Sequence, residues 1–252
     1  MAHIYRRLVL PVACLQPVAA YLPSLWGFPS IGARAREGGI PPELPLGPFF
    51  SIWGAIFILY ILFGLESWRQ STSLAHAFSR SLSLFGVMTA LWMAVSQILG
   101  HPIVDFILLL PLFYLSWSMA YHLGHYEMAP ANSARPYLSG VATMLIGLGA
   151  GWISVAVTIS IPRAARDLTR LGPTDAEWVV FLTVLILGLG AILGFRRFIS
   201  RNIWFEVAVI WGFMGIGLNN WLRTGYGYFG WIVLAFLIWQ IVSYWKGRPQ
   251  QV

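Results

Sequence analysis

The sequence predicts an all-α membrane protein, a polytopic bundle of about eight transmembrane helices. Of its 252 residues, 58% are hydrophobic and 10% charged, where a soluble domain carries roughly a quarter charged. The apolar residues also gather into long runs, which a soluble core does not require. The net charge of +7 comes from fifteen Arg and one Lys scattered through short connections. No single basic face forms, so the charge reads as membrane topology and excludes a nucleic-acid-binding surface.

The runs lie at about 8–27, 48–65, 82–100, 103–121, 137–161, 177–195, 203–220 and 226–245. Most have the ~20 residues that cross ~30 Å of hydrocarbon at 1.5 Å per residue. The first carries Pro11, Pro17 and Pro23 and is expected to kink. It is read as a retained helix. Its Cys14 is alone in the chain, so it forms no internal disulfide and reads as a small packing residue. The connection 28–47 holds Pro41, Pro42 and Pro45, and reads either as an ordered extended cap or as a flexible loop. Gly100-His101-Pro102 predicts a tight hairpin between the third and fourth runs.

Eight spans place both termini on one side. That side receives ten basic residues (Arg6, Arg7, Arg69, Arg80, Arg135, Arg196, Arg197, Arg201, Lys246 and Arg248) and the acids Glu66 and Glu127. The other receives six basic residues (Arg34, Arg36, Arg163, Arg166, Arg170 and Arg223) and six acids. The positive-inside rule then makes both termini cytoplasmic. The whole is expected to be one membrane domain, with a five-helix unit over 1–161 and three additional spans over 162–252.

Thirteen tryptophans are the most unusual feature. Trp26, Trp68, Trp178, Trp204, Trp221, Trp231 and Trp245 fall near run ends, where an indole keeps one wet edge. Trp53, Trp92, Trp117, Trp152, Trp211 and Trp239 fall deeper. A deep indole either packs with its N–H bonded to a neighbour or lines a cavity. Four of the six lie one per span on spans two to five, which points to a shared aromatic cavity for a flat apolar ligand.

Gly147-x-x-x-Gly151, Gly190-x-x-x-Gly194, Gly212, Gly215 and Gly217 read as helix-packing faces. Glu206 is the one carboxylate well inside a span, and is expected to pair with Arg201 or Arg197 at the helix start. His122-x-x-His125 with Glu127 is a weak metal signal and reads as structural. No nucleophile elbow, triad spacing, phosphate loop or paired catalytic carboxylates occur, so the chain reads as non-catalytic, with no metal.

Pro48-Phe49-Phe50-Ser51-Ile52-Trp53-Gly54-Ala55-Ile56-Phe57, followed by Tyr60, resembles the signature of the TspO/translocator protein (tryptophan-rich sensory protein) family. Leu91-Trp92-Met93 and Gly151-Trp152-Ile153-Ser154-Val155-Ala156 are similar to the Trp-bearing third and fifth helices of that family. Ala208-Val209-Ile210-Trp211-Gly212 adds a likeness to its longer bacterial branch with extra C-terminal helices. Pro41-Pro42 lack the flanking tryptophans usual there, and Ser96, Thr158 and Ser160 stand where the family is richer in Asn.

The resemblance implies a bacterial inner-membrane protein whose ligand pocket opens towards the Pro-rich loop. Carried over, that pocket comprises Phe50, Trp53, Phe57, Tyr60, Trp92, Trp117 and Trp152, with the loop as its lid. The expected function is binding of a planar hydrophobic ligand (tetrapyrrole, carotenoid or sterol) with a sensory or regulatory role. The alternatives are a structural subunit of a membrane pigment–protein assembly, with other subunits or a second copy as partners, and, third, a small-solute transporter.

Overall fold

The computed structural model describes residues 2–127, 136–172 and 174–246. The readings above that involve the side chains of Glu127, Arg135 and Arg248 lie outside the described residues. The described chain is mostly helical, with no strand among the described residues. The helices are α1 (Ala2–Leu25), the single turn α2 (Ile31–Arg34), α3 (Ile52–Arg69), α4 (Ser73–Leu99) and α5 (Pro102–Glu127). They continue as α6 (Pro136–Thr169), α7 (Glu177–Gly194), α8 (Ile203–Asn219) and α9 (Gly227–Lys246).

Seven of these helices are long and apolar enough to cross a membrane. The remaining expected span, α8, has 17 residues, about 26 Å of helix. It continues as a wider π turn, Asn220–Thr224, and its middle is sheltered by α6 and α9. The chain is thus an all-α polytopic membrane bundle.

Local chemistry sets the ends. Thr72 caps α4 by accepting from the Ala75 N–H at 3.0 Å. Gly100 closes α4 at φ +61°, where an L side chain is strained, and the expected hairpin into α5 follows. Asn202 caps α8 through the Trp204 N–H at 2.9 Å and donates to the Thr143 carbonyl at 3.0 Å. Helix α6 runs two turns beyond its expected end, through Pro162, and so carries Arg163 and Arg166 on helical spacing.

The centre of the bundle is α6, which packs against α3, α5, α7 and α8. Gly147 and Gly151 permit the α6–α8 contact. A Cβ at Gly147 would sit 2.6 Å from Asn202 Oδ1, and one at Gly151 2.5 Å from the Phe205 carbonyl oxygen. The pair Gly190 and Gly194 behaves otherwise. Nothing lies within 4 Å of a Cβ at Gly190, and the close approach of α7 to α8 is at Gly188, against Phe213.

The connection between α1 and α3 is an ordered insertion. Pro41, Pro42, Glu43, Leu44 and Pro45 are all buried. Asn219 and Asn220 donate to the Pro41 and Pro42 carbonyls at 3.3 and 2.6 Å, and the Leu46 N–H donates to the Gly215 carbonyl at 3.0 Å. Glu43, wholly buried, meets Arg166 of α6 at 2.5 Å. Arg34 reaches the C-terminal end of α4, donating to the Gln97 carbonyl at 3.1 Å. A Pro-rich segment leaves backbone carbonyls unpaired, and here Asn219, Asn220 and Arg36, which donates to the Pro45 carbonyl at 2.8 Å, satisfy them.

Candidate functional site

Beneath that insertion lie three cavities that share walls in sequence. The first, about 390 Å³, is mainly apolar and lies among α1, α3, α4 and the insertion. Ala20, Tyr21, Ile31, Trp53, Phe57 and Met93 form much of its wall. Ile31 and Phe50 separate it from a crevice of about 40 Å³ walled by Trp92, Trp152, Val155 and Ile159. Ala35 and Arg163 then border both the crevice and a polar cavity of about 260 Å³. A space of 40 Å³ admits a ring edge or one water, so the first cavity is the chamber and the crevice its inner slot.

The aromatic walls are positioned by helical spacing. Trp53 and Phe57 are one turn apart on α3, stacked at 5.8 Å with planes 25° apart. Trp53 faces Trp92 of α4 at 5.9 Å. Phe50, in the turn Gly47–Ser51 before α3, meets Trp152 of α6 edge-on at 5.7 Å. Trp53, Trp92 and Trp152 are 6, 5 and 3% exposed. The indole Nε1 atoms of Trp53 and Trp92 are buried and have no hydrogen-bond partner among the described residues. A buried donor left unpaired costs about 1–3 kcal/mol, so the Trp53 indole at the chamber wall and the Trp92 indole at the slot wall each call for an acceptor.

Five of the seven expected pocket residues, Phe50, Trp53, Phe57, Trp92 and Trp152, therefore come together. Tyr60 and Trp117 do not join them at the cavity walls. Tyr60 is fully buried and its hydroxyl donates to the Leu82 carbonyl, a helix-to-helix tie. Trp117 packs on Phe113, Phe195 and Phe205 and donates to Ser154 Oγ at 2.9 Å. Trp211 is similarly spoken for, donating to the Phe49 carbonyl at 2.7 Å. Sequence reasoning missed Ile31, Met93 and Arg163; of these only Arg163 carried a signal, as a cation two residues past an apolar run.

The insertion is held by charge as well as by carbonyl contacts. Burial pushes the Glu43 carboxyl up from the usual carboxylate range, and the guanidinium groups of Arg166 and Arg163 oppose that rise.

On the other side of the bundle, Arg196 grips both oxygens of Glu206 at 2.7 and 2.8 Å, and donates to Ser243 Oγ at 2.8 Å. Gln240 adds a 2.9 Å bond to Glu206. The expected partners Arg197 and Arg201 are displaced by Arg196 because a π turn, Phe195–Ile199, widens the end of α7 and folds Arg196 back over α8. Among the described residues no group of three His, Cys, Asp or Glu side chains is placed to hold a metal.

The family model of TSPO-like proteins matches residues 44–244. The chain belongs to the TSPO-like family. The match begins in the buried insertion and runs into α9, leaving α1 outside it. No curated protein and no solved structure matches. Within this TSPO-like chain the aromatic chamber and the insertion that roofs it both draw on the matched region, whereas α1 supplies Ala20 and Tyr21 from outside.

Proposed function

We propose that this TSPO-like protein is a non-catalytic integral membrane binding protein for a planar hydrophobic ligand, of the tetrapyrrole, carotenoid or sterol type, in a bacterial inner membrane. The observation that carries the reading is the pair of unpartnered indole N–H groups on Trp53, at the wall of the apolar chamber, and Trp92, at the wall of its slot, the two rings facing each other with centroids 5.9 Å apart. Flat aromatic walls favour a flat partner, each aromatic pair adding about 0.5–1.5 kcal/mol beyond area burial. A chamber of about 390 Å³ is within the range of small-molecule sites. The excess of basic residues at the end bearing both termini supports a cytoplasmic location for them.

The test is the visible absorption spectrum of the protein purified in mild detergent and titrated with protoporphyrin. Binding is expected to shift the porphyrin band. Trp53→Ala and Trp92→Ala should weaken it about tenfold or more, through lost ring contact and lost hydrogen bonding, while Trp245→Ala, at the exposed C-terminal end of α9, leaves it unchanged. Equal effects of all three substitutions would remove the assignment.

A further inference from the structure

The link from α7 to α8 carries three arginines, Arg196, Arg197 and Arg201, and meets one buried acid. Arg196 takes that acid whole, its Nε and Nη2 holding the two oxygens of Glu206. Arg197 and Arg201 are left exposed, and neither makes a hydrogen bond or ion pair with a described residue. Arg201 differs from Arg197 in what lies beside it.

Arg201 borders a cavity of about 280 Å³ at the end of the bundle that bears both termini. The length of α5 separates this cavity from the insertion, whose polar cavity borders Pro102. Four parts of the chain wall it. Gly124 comes from the end of α5, Thr143 from the start of α6, Ser200, Arg201 and Asn202 from the link, and Tyr244 from the end of α9. No acid is among the described residues that line it. A guanidinium with no counter-charge, beside hydroxyls and an amide in a confined space, suits a phosphate oxygen. The Ser200 hydroxyl has no described partner, so it is available to such an oxygen.

The cavity also meets the start of α8. Asn202 accepts from the Trp204 N–H through its side chain and from the Phe205 N–H through its carbonyl. Ile203 lines the cavity too, and its N–H has no described acceptor. The positive end of this 17-residue helix adds to the charge of Arg201. With both termini cytoplasmic, the cavity faces the leaflet whose surface carries anionic phospholipids. We infer that it is a second site, separate from the aromatic chamber, that binds a phosphate group through Arg201, the Ser200 hydroxyl and the start of α8. An anionic lipid headgroup and a small soluble phosphate ester share that chemistry.

The experiment is native mass spectrometry of the full chain in mild detergent, titrated with phosphatidylglycerol and with phosphatidylcholine. Phosphatidylglycerol is expected to bind about fivefold tighter, the worth of one arginine near an anionic headgroup. Arg201→Gln should remove most of that preference with the unfolding temperature unchanged, because Arg201 holds no other group; Arg201→Lys should keep part of it. Gly124→Leu fills the cavity without altering charge, since a Cβ there meets nothing closer than 3.8 Å, and should remove the preference too. Arg7→Gln, at an exposed position on α1 at the same end and off the cavity, should leave it intact. Glycerol 3-phosphate separates the two sources. Arg201-dependent protection by it against thermal unfolding assigns the site to a soluble phosphate; lipid preference without such protection assigns it to a headgroup. Absence of both Arg201-dependent effects overturns the inference. Equal losses in Arg7→Gln and Arg201→Gln reduce the preference to diffuse surface charge and overturn it as well, as does a preference that survives Gly124→Leu.

Discussion

Trp92 and Trp117 are both deep tryptophans on neighbouring long helices, and the bundle treats them in opposite ways. Trp117 is enclosed by Phe113, Phe195 and Phe205, and its N–H is used by Ser154. Nearby, Arg196, Glu206, Gln240 and Ser243 interlock, so both carboxylate oxygens are satisfied. Around Trp92 the pattern reverses. Its N–H and that of Trp53 are idle, Arg166 Nη2 is idle, and cavities adjoin all three. The Trp117 side commits its indole N–H and both Glu206 oxygens to internal partners, with the Gln240 amide oxygen left over; the Trp92 side leaves two indole N–H groups and a guanidinium nitrogen unpaired beneath the insertion. Burial alone does not separate a structural tryptophan from a binding one, but the fate of its N–H does.

The sharpest way to break the comparison is at the satisfied side. Arg196→Met leaves the 2% exposed Glu206 without its cation, and should lower unfolding stability by about 3–5 kcal/mol. Thermal unfolding in detergent would read it, and porphyrin affinity of the folded fraction should not change. A large affinity loss would join the two regions energetically.

A smaller effect is expected from the glycines of α7. Gly188→Val drives a side chain into the Phe213 ring and should cost about 1–3 kcal/mol. Gly190→Val, facing open space, should stay within about 0.5 kcal/mol of the parent. Comparable losses at both would refute the α7–α8 packing.

The insertion gives a pH signature. Folding raises the Glu43 pKa, so the folded state holds this proton more tightly than the unfolded chain does. Its contribution is therefore complete below the ordinary carboxylate range and is lost as pH rises through the raised value. Glu43→Gln should flatten this part of the stability–pH curve. An unchanged slope would remove Glu43 as its source.

Much of the architecture was legible in the sequence because hydrophobic run length is a local property. Belt tryptophans such as Trp26, Trp68 and Trp231 are exposed, at 69, 51 and 65%, and Trp53, Trp92 and Trp152 are buried, as depth within a run implies. Trp239 departs from that rule at 39%, because depth along a helix says nothing about which face meets lipid.

What was not legible depends on distant partners. Whether Pro41-Pro42 forms a loop or a plug is decided by Asn219 and Asn220, 178 residues away. The choice of Arg196 over Arg197 and Arg201 is made by a π turn with no strong local signature. The separation of Trp117 from the chamber follows from α8 inserting Phe205 beside it, a packing event that spacing on α5 does not encode. The apolar run 137–161 places Arg166 in the following connection, whereas α6 continues through Pro162 to Thr169 and carries it on the helix.

The most direct measurement is a matched set of Trp→Phe variants at positions 92, 53 and 117, each keeping a ring and removing the N–H. Unfolding temperature and protoporphyrin affinity would be read on the same samples. The account predicts that Trp92→Phe and Trp53→Phe lose affinity severalfold, in keeping with about 1 kcal/mol per hydrogen bond, with stability unchanged or raised. Trp117→Phe should instead lose stability and keep affinity. If Trp92→Phe destabilises the fold and leaves affinity intact, the idle N–H groups are not held for a ligand, and the central claim is wrong.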